Sequence, residues 1–176
     1  SCAQKNNISL NSPDGKIEIH VGINQASELF YSVEFEDSII IVPSNLGFQI
    51  QDANDLGKNL EIVSYSETEI NETWKPIYGE RSEIKDNYKQ TIFHLKETVE
   101  PKREFDITFR IYNEGIAFSY SFLQQSNTDS MVIQNEKTEF NFTENYNSWV
   151  SARAQSEYRK QKINLISQPA ERPLVI

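Results

Sequence analysis

Two histidines, one cysteine and a surplus of carboxylates are what this chain offers to chemistry. His20 and His94 both fall on the polar phase of alternating stretches. A zinc centre or a nucleophile–base pair needs several convergent ligands or a Ser or Cys partner. Two histidines in unrelated strands do not supply that, so both read as surface residues. Asp52 and Asp55, and Glu67, Glu69 and Glu72, are the densest acidic groups, but no stretch has the alternating spacing and central glycine of a calcium loop. They read as solvated carboxylates. A hydrolytic carboxylate pair meets in space, so sequence spacing cannot reveal one. Trp74, Tyr78, Tyr146, Trp149 and Tyr158 have the rings to stack on a sugar or to anchor an interface, and the packing or interface role is favoured because nothing marks a flat platform. Tyr78-Gly79-Glu80-Arg81-Ser82 is the most distinctive polar motif. Arg81 can fork onto a carboxylate and Glu80 offers one, which gives either a loop-stabilising ion pair or an inter-domain contact. The interface or sugar-contact candidates are therefore Trp74, Tyr78, Glu80, Arg81, Tyr146 and Trp149. No catalytic residue and no metal ligand is assigned. A Gly-rich phosphate loop is absent, and Asn-x-Ser/Thr at Asn7, Asn71 and Asn141 occurs at chance frequency.

The formal net charge of -9 over 176 residues argues against nucleic-acid binding, which needs a density of Lys and Arg. No apolar run is long enough to span a bilayer. Cys2 is the lone cysteine, which excludes an internal disulfide and a cysteine-based metal site. Ser1-Cys2-Ala3-Gln4 looks like the region just after a bacterial secretion signal. Cys2 is then the acylated residue of a lipoprotein, or cleavage after Ala3 leaves Gln4 first. Either reading places the protein in the cell envelope, in the periplasm or anchored to the outer membrane.

Strands must position these residues. Residues 105–122 are the firmest stretch. Phe105, Ile107, Phe109 and Ile111 alternate with polar residues, and Ile116, Phe118, Tyr120 and Phe122 do so after Asn113-Glu114-Gly115. A period of two puts each apolar set on one face. The break predicts a three-residue hairpin loop with a glycine bulge. So greasy a ribbon must pack on another sheet. Ile8 and Leu10 predict a short edge strand. Ser12-Pro13-Asp14-Gly15 predicts a turn, and residues 17–23 and 29–35 a hairpin. Ile39-Ile40-Ile41-Val42 predicts a strand ending at Pro43; residues 46–50, 60–65, 91–96, 131–133 and 140–142 predict further strands. Residues 67–90 have weak periodicity and predict an extended, partly irregular segment, and residues 144–159 a loop or short helical turn. The last residues predict a Pro-punctuated loop entering a strand cut short. Strands at this spacing with no amphipathic helix indicate an all-β antiparallel sandwich, with residues 1–7 a segment that follows the signal and residues 8–176 an incomplete β-sandwich domain.

The order of motifs is similar to a known family. Ser12-Pro13-Asp14-Gly15, Leu29-Phe30-Tyr31-Ser32-Val33, Pro43-Ser44-Asn45-Leu46-Gly47-Phe48, Trp74-Lys75-Pro76-Ile77-Tyr78-Gly79-Glu80-Arg81, Asp86-Asn87-Tyr88 and Phe109-Arg110-Ile111-Tyr112-Asn113-Glu114-Gly115-Ile116-Ala117-Phe118 follow one another. The chain resembles the N-terminal domain of glycoside hydrolase family 97, bacterial α-glucosidases and α-galactosidases, over most of residues 9–176. Glu114 stands where the family pattern has Asp. The resemblance implies a supersandwich of the galactose-mutarotase type, followed in the parent enzyme by a catalytic (β/α)8 barrel and a small β domain. It implies a calcium ion at the parent's active site, with catalytic and metal residues outside this chain. The fragment then braces the barrel and helps to wall its active site, presenting residues 74–81 or 146–158 to the neighbouring domain; the parent acts on an oligosaccharide. The alternative is a free-standing carbohydrate-binding or envelope interaction module.

Overall fold

Alternation builds the first sheet. β1 (Asn7–Asn11), β2 (Ile17–Ile23), β3 (Leu29–Phe35) and β4 (Ser38–Asn45) pair in that order, each antiparallel to the next. In this computed structural model, residues 7–125 and 130–176 are described; Cys2, the lipidation candidate, lies outside them. Leu10, Ile19, Val21, Leu29, Tyr31 and Val33 point to the buried face, while Ser9, Glu18, His20 and Glu34 take the other phase. The turn before β2 is closed as its residues suggest. The Ser12 hydroxyl donates to Asp14 at 2.7 Å, and Gly15 takes a φ of +74°. β4 does not stop at Pro43. Its register with β3 shifts between Tyr31 and Val33, so Pro43 falls at a bulge where no ladder bond is lost, and Ile39 and Ile40 remain exposed.

The second sheet is β6 (Leu60–Trp74), β7 (Ile84–Glu97), β8 (Glu104–Tyr112) and β9 (Gly115–Ser121), again antiparallel in sequence order. Phe93, Leu95, Phe105, Ile107, Phe109 and Ile111 are fully buried on its inner face. The two sheets meet through rings, with Tyr31 centred 6.4 Å from Phe109 and 5.8 Å from Phe118. The Phe-rich ribbon therefore packs as its composition demands. Its loop is shorter than predicted: Tyr112 pairs with Gly115, so two residues turn the chain and no glycine bulge is needed. Tyr88 belongs to the outer face, yet it is buried, because Tyr112 stacks 5.0 Å away and the Arg110 guanidinium lies 4.8 Å over its ring.

β5 (Phe48–Ile50) pairs with β10 (Ile133–Glu136), and Phe48 packs on Tyr120 and Phe122 at 4.6 and 5.7 Å between centroids. Main-chain bonds from Lys137 to Gly47 and from Glu139 to Asn45 carry this ladder onward. Gly47 and Gly57 lie back to back, so that a side chain on either would collide with the other's backbone.

Residues up to Asn141 form one compact unit, and Phe142–Ile176 form a second. In the second, β11 (Asn147–Val150) pairs with β12 (Arg159–Lys162), and the Trp149 amide bonds the Val175 carbonyl at 2.7 Å. The predicted loop over 144–159 thus contains a strand, whose exposed–buried alternation is carried by Ser148 and Val150 rather than by large apolar residues. The strand predicted at residues 131–133 forms later in the chain, as Ile133–Glu136 against Phe48–Ile50, with Val132 already accepting from the Gln51 amide; residues 140–142 form no named strand, though Asn141 accepts from the Val42 amide. A three-residue 3-10 turn, Ile163–Leu165, follows β12.

Candidate functional site

β6 and β7 stay paired from Leu60/Glu97 to Trp74/Ile84, whereas β8 leaves β7 at Tyr88. Asn71–Trp74 and residues 84–87 therefore continue as a two-stranded arm past the end of β8. At about 3.4 Å per residue the arm reaches about 14 Å before its loop. The extended, partly irregular segment expected over residues 67–90 is thus two paired strands with an irregular loop between them. Thr, Glu and Asn carry the alternation here, and most of β6 is exposed on both phases, so no apolar period marks it.

The loop at the tip spans residues 75–83. Ile77 is 100% and Tyr78 90% exposed, and Trp74 at its base is 49% exposed. Gly79 has a φ of +137°, a backbone state that only glycine adopts without strain. Lys75 and Glu83 close the loop with an ion pair at 3.5 Å. Glu80 and Arg81, expected either to pair within the loop or to contact a neighbouring domain, make no ion pair among the described residues. Both side chains extend into solvent at the tip. The structure thus gathers Trp74, Tyr78, Glu80 and Arg81 on one projecting element.

Tyr146 and Trp149 belong to the second unit. The Tyr146 ring packs edge-on against Phe142 at 6.2 Å, and its hydroxyl meets the Thr143 hydroxyl at 2.7 Å. Trp149 stands half-exposed on β11 opposite Lys160. Tyr158 is exposed just before β12.

Asp52, Asp55, Glu67, Glu69 and Glu72 join no group of three convergent ligands; among the described residues Glu18, His20 and Glu34 do. The hidden signal was the Glu18-x-His20 spacing, which puts both on one face of β2. His94 is differently placed. Asp106 accepts at Nδ1 at 2.7 Å, Glu104 lies 3.3 Å from Nε2, and Lys96 holds Glu104 at 2.6 Å. The Lys96 ammonium keeps the Glu104 carboxyl below the usual carboxylate range, and Glu104 raises Lys96 in return.

A second feature escaped the sequence. Glu97 and Arg103 are buried together, 1% and 5% exposed in their side chains. Arg103 Nε donates to Glu97 at 2.8 Å and its Nη2 reaches the Asn54 carbonyl at 2.8 Å. The pair locks the loop between β7 and β8, a structural role. Glu97 ends the strand on its buried phase, where an apolar residue was the natural expectation.

The fold matches solved structures of larger enzymes. A glycoside hydrolase family 97 enzyme from a Pseudoalteromonas species, in complex with panose, superposes with a TM-score of 0.82 at 22% identity, covering 88% of this chain and 24% of that one. A β-arabinopyranosidase superposes with a TM-score of 0.75 at 21% identity, covering 86% and 26%. In sequence the chain is 26% identical over 131 residues to a retaining α-galactosidase from Bacteroides thetaiotaomicron, which is 74% of this chain and 18% of that protein. The chain spans about a fifth of the length of these relatives. The model of the glycosyl-hydrolase 97 N-terminal family matches residues 10–176. On that match, the chain belongs to the glycosyl-hydrolase 97 N-terminal family.

Proposed function

We propose that this chain is a non-catalytic N-terminal domain of an exported α-glycoside hydrolase, and that it braces a catalytic barrel on the same polypeptide. The observation that carries this is the β6–β7 arm. An isolated ribbon ending in Trp74, Ile77 and Tyr78 gains nothing from being greasy unless its tip is covered. Trp and Tyr at a protruding end are what anchor an interface. In this reading bond cleavage falls to the barrel, as the family resemblance implies. Calcium, which the family resemblance implies for the parent, would be held by residues outside this chain.

The test compares the full-length protein with the excised chain. Full-length protein hydrolyses p-nitrophenyl α-glucoside or α-galactoside, and the excised chain does not. Amide exchange across residues 75–83 is slower in the full-length protein, because the tip is covered there. Turnover by the excised chain, or equal exchange in both, overturns the reading. Binding of oligosaccharide by the excised chain through Trp74 or Trp149 would instead favour a free-standing sugar-binding module.

A further inference from the structure

We propose that Glu18, His20 and Glu34 bind a zinc-class divalent cation on the outer face of the β1–β4 sheet. This does not rest on the accessory-domain reading. Glu18 and Glu34 are direct cross-strand partners, and His20 follows on the same face two residues along β2. Like charges placed opposite each other on neighbouring strands repel. Among the described residues no lysine or arginine lies within 4.0 Å of either carboxylate; the group that both face is His20 Nε2, at 3.8 Å from Glu18 and 3.5 Å from Glu34. The His94 cluster on the other sheet differs here, because Lys96 already supplies its positive charge.

The geometry suits an ion. Ligand atoms bound about 2.0–2.2 Å from zinc at tetrahedral angles stand about 3.3–3.6 Å apart. The imidazole–carboxylate separations are near that range, and all three ligand atoms lie within 4.8 Å of one another. Half-exposed glutamates can close the remaining gap by turning their side chains. On the far side of the ring, Ser9 on β1 holds Nδ1 at 2.8 Å. With Nδ1–H donated to the Ser9 hydroxyl, Nε2 turns its lone pair toward the carboxylates, which is the form a metal requires. One imidazole and two carboxylates leave a fourth position to water. An imidazole ligand selects zinc, copper or nickel over calcium and magnesium.

The experiment titrates chelator-stripped full-length protein with zinc chloride in a calorimeter and follows cobalt(II) absorption in the visible. The wild type binds zinc at this site and shows tetrahedral cobalt bands. His20→Gln and Glu34→Gln each weaken this zinc binding at least tenfold and remove the bands. Ser9→Ala weakens it about tenfold by freeing the ring. Circular dichroism verifies that each variant keeps its β spectrum, and Glu18→Gln replaces any that does not. Zinc affinity unchanged within twofold in the histidine and glutamate variants overturns the proposal. Equal displacement of zinc by calcium or magnesium overturns it too, since a plain acidic patch would behave so.

Discussion

Glu97 and Arg103 are the buried charges among the described residues, and each satisfies the other. Besides the side-chain bonds, the Arg103 amide donates to the Glu97 carboxylate at 3.0 Å and the Glu97 amide to the Arg103 carbonyl at 2.9 Å. Removing one partner strands the other charge in the interior, which costs roughly 3–5 kcal/mol. Arg103→Met should therefore lower unfolding stability by that amount in urea titrations. The double change with Glu97→Leu should recover much of the loss, since no charge is then left unpaired. A single-variant loss below about 1 kcal/mol would show that water reaches the pair. Tyr120 gives a prediction at the opposite end of the pH scale. Burial beneath Phe48 pushes its hydroxyl up to about 12 from an ordinary 10. The folded state favours the protonated phenol, so its contribution is full below pH 10 and is lost as pH rises from 10 to about 12. Two units correspond to on the order of 2–3 kcal/mol. Tyr31, buried and donating to the Glu139 carbonyl at 2.9 Å, is raised still further and loses its share in the same direction. Tyr120→Phe should make stability fall less steeply between pH 10 and 12 in alkaline melts. An unchanged slope would mean that the phenol is wet.

At the scale of elements, β8 and β6 show what decides legibility. β8 was readable because every second residue from Phe105 to Ile111 is large, apolar and buried. β6 twins with β7 over a longer span, yet past Tyr65 it carries no apolar period and reads only as an extended, partly irregular segment, because it is an edge strand with little of either face covered. Its pairing is encoded on β7, not on itself. The candidate residues followed the same rule. Trp74, Tyr78, Glu80 and Arg81 were found by type, but that they ride on one arm required the register of β6 with β7. The Glu18–His20–Glu34 group was missed because Glu34 arrives from a neighbouring strand. The β5 corner depends on a contact no periodicity reveals, the approach of Gly47 to Gly57. Gly47→Ala should cost about 1–3 kcal/mol through collision with the Leu56 carbonyl. Gly57→Ala should cost more, since its φ of +112° adds strain to the clash. Gly115→Ala is the control: open space surrounds it, and its thermal midpoint should stay close to that of the parent. Equal losses at all three positions would point to general glycine entropy instead of this contact.

For the molecule as a whole, the open flank of β6 sets solution behaviour. An edge strand of 15 residues offers unpaired amides and carbonyls to any second chain. Val63 and Tyr65 add exposed apolar area beside them. What opposes pairing is charge: Glu61, Glu67, Glu69 and Glu72 line the strand, and the chain carries a net charge of -9. Two such edges repel at low salt. Repulsion between exposed charges fades as the screening length falls from about 10 Å at 0.1 M to about 3 Å at 1 M salt, whereas strand pairing and apolar burial do not weaken in the same way. The excised chain should therefore be monomeric in dilute buffer and self-associate as salt rises, seen as a growing mass in light scattering. Glu67→Lys together with Glu69→Lys should shift that onset to a different salt concentration. In the full-length protein, where the proposed brace covers the arm, the salt response should shrink. A monomer at every salt concentration in the excised chain would show that the flank is closed by some other means and would remove the reason for expecting a covering domain there.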